Sequence, residues 1–91
     1  MTPLFHSGAF RRDLKLANRR GKDLAKLQEI LERLSRGEPL PARLRDHPLK
    51  GDLHGCRECH IEPDWLLIYR VDPEGGIIRL ERTGSHSDLF G

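Results

Sequence analysis

Apolar residues recur at helical spacing over the first part of the chain. Between Ala9 and Arg20, Phe10, Leu14 and Ala17 stand at i, i+4 and i+7, one face of a helix. Ser7 ahead of them is a suitable N-cap. Asn18 and Gly21 mark a break near Arg20. A second helix is predicted from Lys22 to Arg36, with Leu24, Leu27, Leu31 and Leu34 as its apolar stripe and Lys22, Lys26, Glu29 and Arg33 off it. Gly37 fits the C′ position, and Pro39 prevents continuation. The pair reads as a helical hairpin. From Glu38 to Gly55, Pro39, Pro41, Pro48, Gly51 and Gly55 break every period, so an ordered loop is expected; loops this long in small domains are often functional. Beyond it the pattern turns to strand. Arg57 to Ile61 is one candidate, closed by Glu62-Pro63-Asp64. Trp65 to Val71 is the strongest, apolar on both faces as a central, helix-covered strand should be. Asp72-Pro73-Glu74-Gly75-Gly76 is a turn, and Ile77 to Thr83 completes a hairpin. Leu4-Phe5 forms a short opening strand, and Gly84 to Gly91 reads as a polar tail apart from Leu89 and Phe90. Two helices followed by an antiparallel meander give an α+β two-layer domain.

Composition narrows the class. At 91 residues the chain makes one domain, residues 1–91, with room for a single modest core. With 36% hydrophobic and 33% charged residues it reads as globular with a large charged surface. No apolar run approaches the ~20 residues of a membrane span, and Met1 to Phe10 carry no export pattern. A cytoplasmic protein with reduced cysteines is therefore expected. The net charge of +2 hides an asymmetry. Residues 1–50 carry 12 Lys and Arg against 6 Asp and Glu, whereas residues 51–91 carry 4 against 8. A basic first half suits a polyanion such as nucleic acid, although solvated helix faces are also rich in Lys and Arg.

Cys56-Arg57-Glu58-Cys59-His60 fits the C-x-x-C-H pattern of haem attachment, and with His54 it offers four zinc-type ligands. Three features argue against both. There is no export signal, no second ligand pair, and no methionine other than Met1. A strand over residues 57–61 would also point Cys56 and Cys59 to opposite faces. Neither a metal nor a cofactor is expected.

The histidines are more informative. His60 ends one predicted strand and Asp64 opens the next. Arg82 ends the third, with His86 just past it. In a meander these four gather at one edge of the sheet, and His47 on the loop folds over them. Imidazoles, a carboxylate and a guanidinium suit phosphodiester cleavage in RNA. One group takes the ribose 2′-OH proton, another protonates the leaving 5′ oxygen, and a cation stabilises charge on phosphorus. Histidine serves both proton roles near neutral pH. Arg82 supplies a planar, permanently charged fork, and Trp65 or Phe90 offers a ring for an unpaired base.

Three blocks carry a family resemblance: Asp46-His47-Pro48-Leu49, His60-Ile61-Glu62-Pro63-Asp64-Trp65, and Glu81-Arg82-Thr83-Gly84-Ser85-His86-Ser87-Asp88-Leu89-Phe90. Together with Phe10-Arg11-Arg12-Asp13-Leu14-Lys15 and Lys22-Asp23-Leu24, they resemble the YafQ branch of the RelE-type toxins over nearly the whole chain. The resemblance implies a RelE-like microbial ribonuclease-type fold, a helical hairpin on a curved antiparallel sheet. It implies a ribosome-dependent, metal-independent endoribonuclease that cuts mRNA in the ribosomal A site and so inhibits translation. The products implied are a 2′,3′-cyclic phosphate and a 5′-OH, and the partner a cognate antitoxin from the same operon. The site residues implied are His47, His60, Asp64, Arg82 and His86 as catalytic groups, with Trp65 and Phe90 binding substrate. In the resulting assignment His86 is the general acid, and His47, His60 or Asp64 is the base. Arg11, Arg12, Lys15, Arg19, Arg20, Lys22 and Lys26 would face ribosomal RNA. Two other readings compete: a non-catalytic RNA- or antitoxin-binding module on the same scaffold, and a metal or haem protein using Cys56, Cys59 and His60.

Overall fold

The computed structural model describes residues 1–91. Strand β1 (Leu4–His6) leads through Ser7 into helix α1 (Gly8–Arg19), and a tight turn leads on to α2 (Leu24–Arg36). Both helices start on side-chain caps. Ser7 Oγ accepts the Phe10 backbone N–H, and the Asp23 carboxylate accepts that of Ala25. Gly37 ends α2 in the left-handed conformation at φ 71°, which a residue without a Cβ adopts at little cost. The predicted stripes face inward: Phe10 and Ala17 are buried on α1, and Leu27 and Leu31 on α2, joined by Ile30, which lay outside the predicted stripe. Burying a leucine-sized side chain contributes about 1.5–3 kcal/mol, so these stripes dock the helices on the sheet.

The sheet has five strands in the order β1-β5-β4-β3-β2. Strands β3 (Arg57–Glu62), β4 (Trp65–Asp72) and β5 (Ile77–Gly84) form the expected meander. Two features depart from the sequence expectation. β1 lies parallel to β5, so the sheet is antiparallel except along that edge. The helical hairpin and the meander together make a connection long enough to bring the chain back in the same direction. The segment predicted as loop contains 3-10 turns at Ala42–Leu44 and Gly51–Leu53 and a two-residue strand, β2 (His47–Pro48), paired antiparallel to β3. The supposed tail is also ordered, as a short helix, α3 (His86–Phe90).

Alternation divides the meander into two faces. Cys59, Ile61, Trp65, Leu67, Tyr69, Ile78 and Leu80 join the helices in the core. Glu58, His60, Leu66, Ile68 and Arg82 occupy the other face. Cross-strand partners share a face, so the register sets two rows there: Glu58, Ile68, Arg82 and His60, Leu66, Gly84. Irregularities in register fall between His60 and Glu62 and between Ile68 and Tyr69, next to those rows. Bulges there bend the strands and re-aim side chains, as a curved sheet requires.

Candidate active site

Four aromatic rings follow one another as neighbours on this second face. The His47 and His60 centroids lie 6.2 Å apart, His60 and His86 6.0 Å, and His86 and Phe90 6.4 Å. Three elements build the group: β2 supplies His47, β3 supplies His60, and α3 supplies His86 and Phe90. Of the expected grouping, His47, His60 and His86 thus stand next to one another, on the sheet face rather than at the strand ends.

At one end, Glu58 sits between two imidazoles. Its Oε1 lies 3.5 Å from His47 Nε2 and 3.6 Å from His60 Nε2, and the side chain is 7% exposed. Sequence reasoning passed over Glu58, which looked like a routine polar position on a strand. It also passed over Arg45, which orients both rings. The Arg45 carbonyl lies 2.6 Å from His47 Nδ1, and its guanidinium lies 3.3 Å from His60 Nδ1. Those partners assign the protons. A carbonyl only accepts, so His47 carries hydrogen on Nδ1. A guanidinium only donates, so His60 Nδ1 is the acceptor, and its Nε2–H faces Glu58. Arg45 holds a left-handed backbone at φ 49°, rare for a residue with a Cβ. That conformation closes the 3-10 turn and brings both ends of one arginine against two histidines.

At the other end, His86 is fixed by Asp64. One carboxylate oxygen, Oδ1, accepts the His86 backbone N–H at 2.9 Å and lies 2.7 Å from its Nδ1. These contacts, the backbone one first, hold the Asp64 carboxyl below its ordinary range. With Nδ1–H directed at Asp64, His86 presents Nε2 to whatever lies along the row. A capping box starts α3: Ser85 Oγ accepts the Asp88 N–H, and the Asp88 carboxylate accepts the Ser85 N–H. Phe90, 51% exposed, offers a free ring face beside His86.

The remaining candidates fall in different places. Arg82 is on the open face, its Nε and Nη2 donating to Asp13 on α1 at 2.7 and 3.2 Å. Nη1 stays without a protein partner. Trp65 faces the core instead. It is 1% exposed, and its indole N–H donates to Thr83 Oγ1 at 3.0 Å, so the ring presents no surface to a base. The strand's doubly apolar pattern already pointed inward at this position. The basic residues split into two groups. Arg11, Arg12, Lys15 and Arg19 are exposed and carry no ion pair, within about 100° of α1. Arg20, Lys22 and Lys26 are all paired, with Asp88 and Glu62. Cys56 and Cys59 are free thiols on opposite faces, as alternation requires: Cys59 is in the core, while Cys56 meets the Arg70 guanidinium. Burial, then the nearby Asp46 and Glu58 charges, push the Cys59 thiol up to about 12, which leaves it inert. They form no common ligand set, and no helix is long and apolar enough to cross a membrane.

Comparison with known proteins identifies the family and the fold. The family described as bacterial toxin of type II toxin-antitoxin system, YafQ, matches residues 3–91. The chain belongs to the YafQ toxin family. A curated relative, the mRNA interferase toxin YafQ of Escherichia coli K12, is 46% identical over 87 residues, 94% of this chain and 92% of that protein. The crystal structure of the E. coli DinJ–YafQ toxin–antitoxin complex superposes with a TM-score of 0.90 at 43% identity, over 100% of both chains. A metal-bound toxin from Helicobacter pylori superposes at 0.93 with 41% identity, over 99% of this chain and 100% of that one. The α+β architecture expected from the sequence is thus that of solved YafQ structures.

Proposed function

We propose that this YafQ-family toxin is an endoribonuclease that cuts mRNA in the ribosomal A site and is held in check by an antitoxin. The observation that carries this reading is His86, its Nδ1 on Asp64, facing His60 across 6.0 Å. Two imidazoles this close together can serve neighbouring oxygens of one phosphodiester laid over the pair. The base takes the ribose 2′-OH proton, and the freed oxygen attacks the adjacent phosphorus. His86 gives its Nε2 proton to the departing 5′ oxygen, leaving a 2′,3′-cyclic phosphate and a 5′-OH. Arg82 Nη1 meets the charge that builds on the phosphoryl oxygens. The base resides in the His47–Glu58–His60 group. Asp64 takes a different role in this reading: its Oδ1 orients His86, as the carboxylate of a catalytic triad orients its histidine. Phe90 takes the stacking role, and Trp65 supports the site from the core. The free cations of α1 face ribosomal RNA. The relatives' names and the complex with DinJ support the substrate and the antitoxin partner for this chain.

A metal reading has two observations behind it. His47, Glu58 and His60 offer ligand atoms within 4.8 Å of one another, and a neighbour is metal-bound. An ion there would occupy lone pairs that the base uses, so acid–base cleavage and metal occupancy compete.

The test is 5′-end mapping of a defined mRNA, with and without programmed ribosomes, using protein stripped of transition metals. A discrete A-site cut with a 5′-OH end, made only with ribosomes, is expected. Cutting of bare RNA would remove the ribosome from the mechanism. A cut that appears only when metal is restored would replace acid–base chemistry. No cut by folded protein would leave a binding module.

A further inference from the structure

The paired cations at the α1–α2 junction do something different from the free ones. Arg20 Nη1 donates to Asp88 Oδ2 at 2.6 Å and Nη2 to Oδ1 at 3.2 Å, a two-point clamp between residues 68 apart in sequence. Asp88 belongs to α3, and its carboxylate is also half of the capping box that starts that helix. Lys26 Nζ lies 2.9 Å from Glu62 Oε2, and Lys22 Nζ lies 3.6 Å from Glu62 Oε1. Glu62 ends β3 two residues before Asp64. The two clamps therefore hold the two segments that meet at the His86–Asp64 contact: α3, and the turn between β3 and β4. α3 needs holding. It has five residues, none of them buried, so the core does not anchor it, and a helix that short does not persist alone.

We infer that Arg20, assisted by Lys26, is a positioning residue for the His86–Asp64 pair and not a contact for RNA. The inference rests on the reading of His86 as the general acid. Arginine's planar fork matches a carboxylate at two points, which fixes the angle of α3 as well as its distance; a lysine ammonium fixes only distance. Asp88 is held below the ordinary carboxylate range by Arg20 first and then by the Ser85 N–H, so it remains a partner over the whole working pH range. Lys26 raises its own basicity through Glu62 in the same way. Arg11, Arg12, Lys15 and Arg19, with no acidic partner, keep the polyanion-facing role.

The test uses the full chain with Arg20→Gln, Arg20→Lys, Asp88→Asn and the Arg20→Gln/Asp88→Asn double variant. Two quantities are read. One is single-turnover cleavage on programmed ribosomes, resolved into the saturated rate, the half-saturating concentration and its salt dependence. The other is hydrogen exchange of the α3 amides in free protein. Arg20→Gln is expected to lower the saturated rate about fivefold, the size expected for losing an exposed ion pair. Half-saturation and salt dependence should hold, and α3 amides should exchange faster. Arg20→Lys should recover part of both losses, and the double variant should be no worse than either single one. Arg12→Ala should do the reverse, raising half-saturation and lowering the salt slope by about one. Unchanged α3 exchange in Arg20→Gln overturns the inference whatever the cleavage shows. So does a raised half-saturating concentration at an unchanged saturated rate. Wild-type protein that cuts nothing instead overturns the reading of His86, a separate failure, because the exchange measurement needs no RNA.

Discussion

Trp65 and Phe90 are both aromatic, both in the family-like blocks, and sit in opposite environments. Trp65 is walled in by the core and satisfies its indole N–H on Thr83, whose hydroxyl in turn donates to the Leu66 carbonyl at 2.7 Å. Phe90 is open to solvent beside His86. Trp65→Ala should therefore destabilise the domain by about 3–5 kcal/mol through cavity formation. Phe90→Ala should leave the melting temperature unchanged and weaken substrate binding by about 1–3 kcal/mol. Thermal melts alongside ribosome-titrated cleavage check this; a stable Trp65→Ala with weakened RNA binding would restore the stacking role to Trp65. The sequence announced the histidines because imidazoles at strand ends are conspicuous. It did not announce Glu58 or Arg45. Glu58 matters only because the two-residue strand β2 sets His47 opposite it, and Arg45 only because its left-handed backbone turns its carbonyl and guanidinium toward two different rings. Neither fact has a local pattern.

The elements divide by length in how well the pattern reveals them. α1, α2 and the meander each bury several residues at one period, so the hydrophobic pattern gives their limits to within a residue or two. α3 buries nothing and has only Leu89 and Phe90 as apolar positions, and it escaped periodicity. Its signal was chemical: Ser85 and Asp88 at capping-box spacing. That cap also makes α3 a separable unit. Ser85→Ala removes an acceptor for the Asp88 N–H at 3.1 Å, a loss of about 1 kcal/mol. The expected result is faster hydrogen exchange confined to α3 and slower cleavage, with the global melt unmoved. A lowered global melt would show that α3 belongs to the cooperative core. β1 is the other element whose partner was hidden, since its parallel pairing with β5 depends on the return of the whole chain.

One sheet divides the whole molecule into a core face, covered by the helices, and a second face that carries the histidines. Three carboxylates near the His86–Asp64 contact are held low: Asp64 by the His86 N–H and imidazole, Glu62 by Lys26, and Asp88 by Arg20. Their folded-state values lie below the unfolded ones, so the unfolded chain binds more protons in acid. The stability they contribute is present above the ordinary carboxylate range and lost as pH falls through it, from about pH 5 downward. Melting temperature followed from pH 7 to pH 3 should drop, and Asp88→Asn should flatten part of that drop. A melt independent of pH over this window would contradict the ion-pair account.

The most direct measurement is single-turnover cleavage of mRNA on programmed ribosomes by wild type and His86→Gln, with the melting temperature of each. Glutamine keeps a polar side chain at an exposed position but cannot deliver a proton as an imidazolium does. The account predicts a loss of at least about tenfold in rate with an unchanged melt. Wild-type cleavage by folded His86→Gln would contradict it, and the acid would then have to be sought among His47, Glu58 and His60.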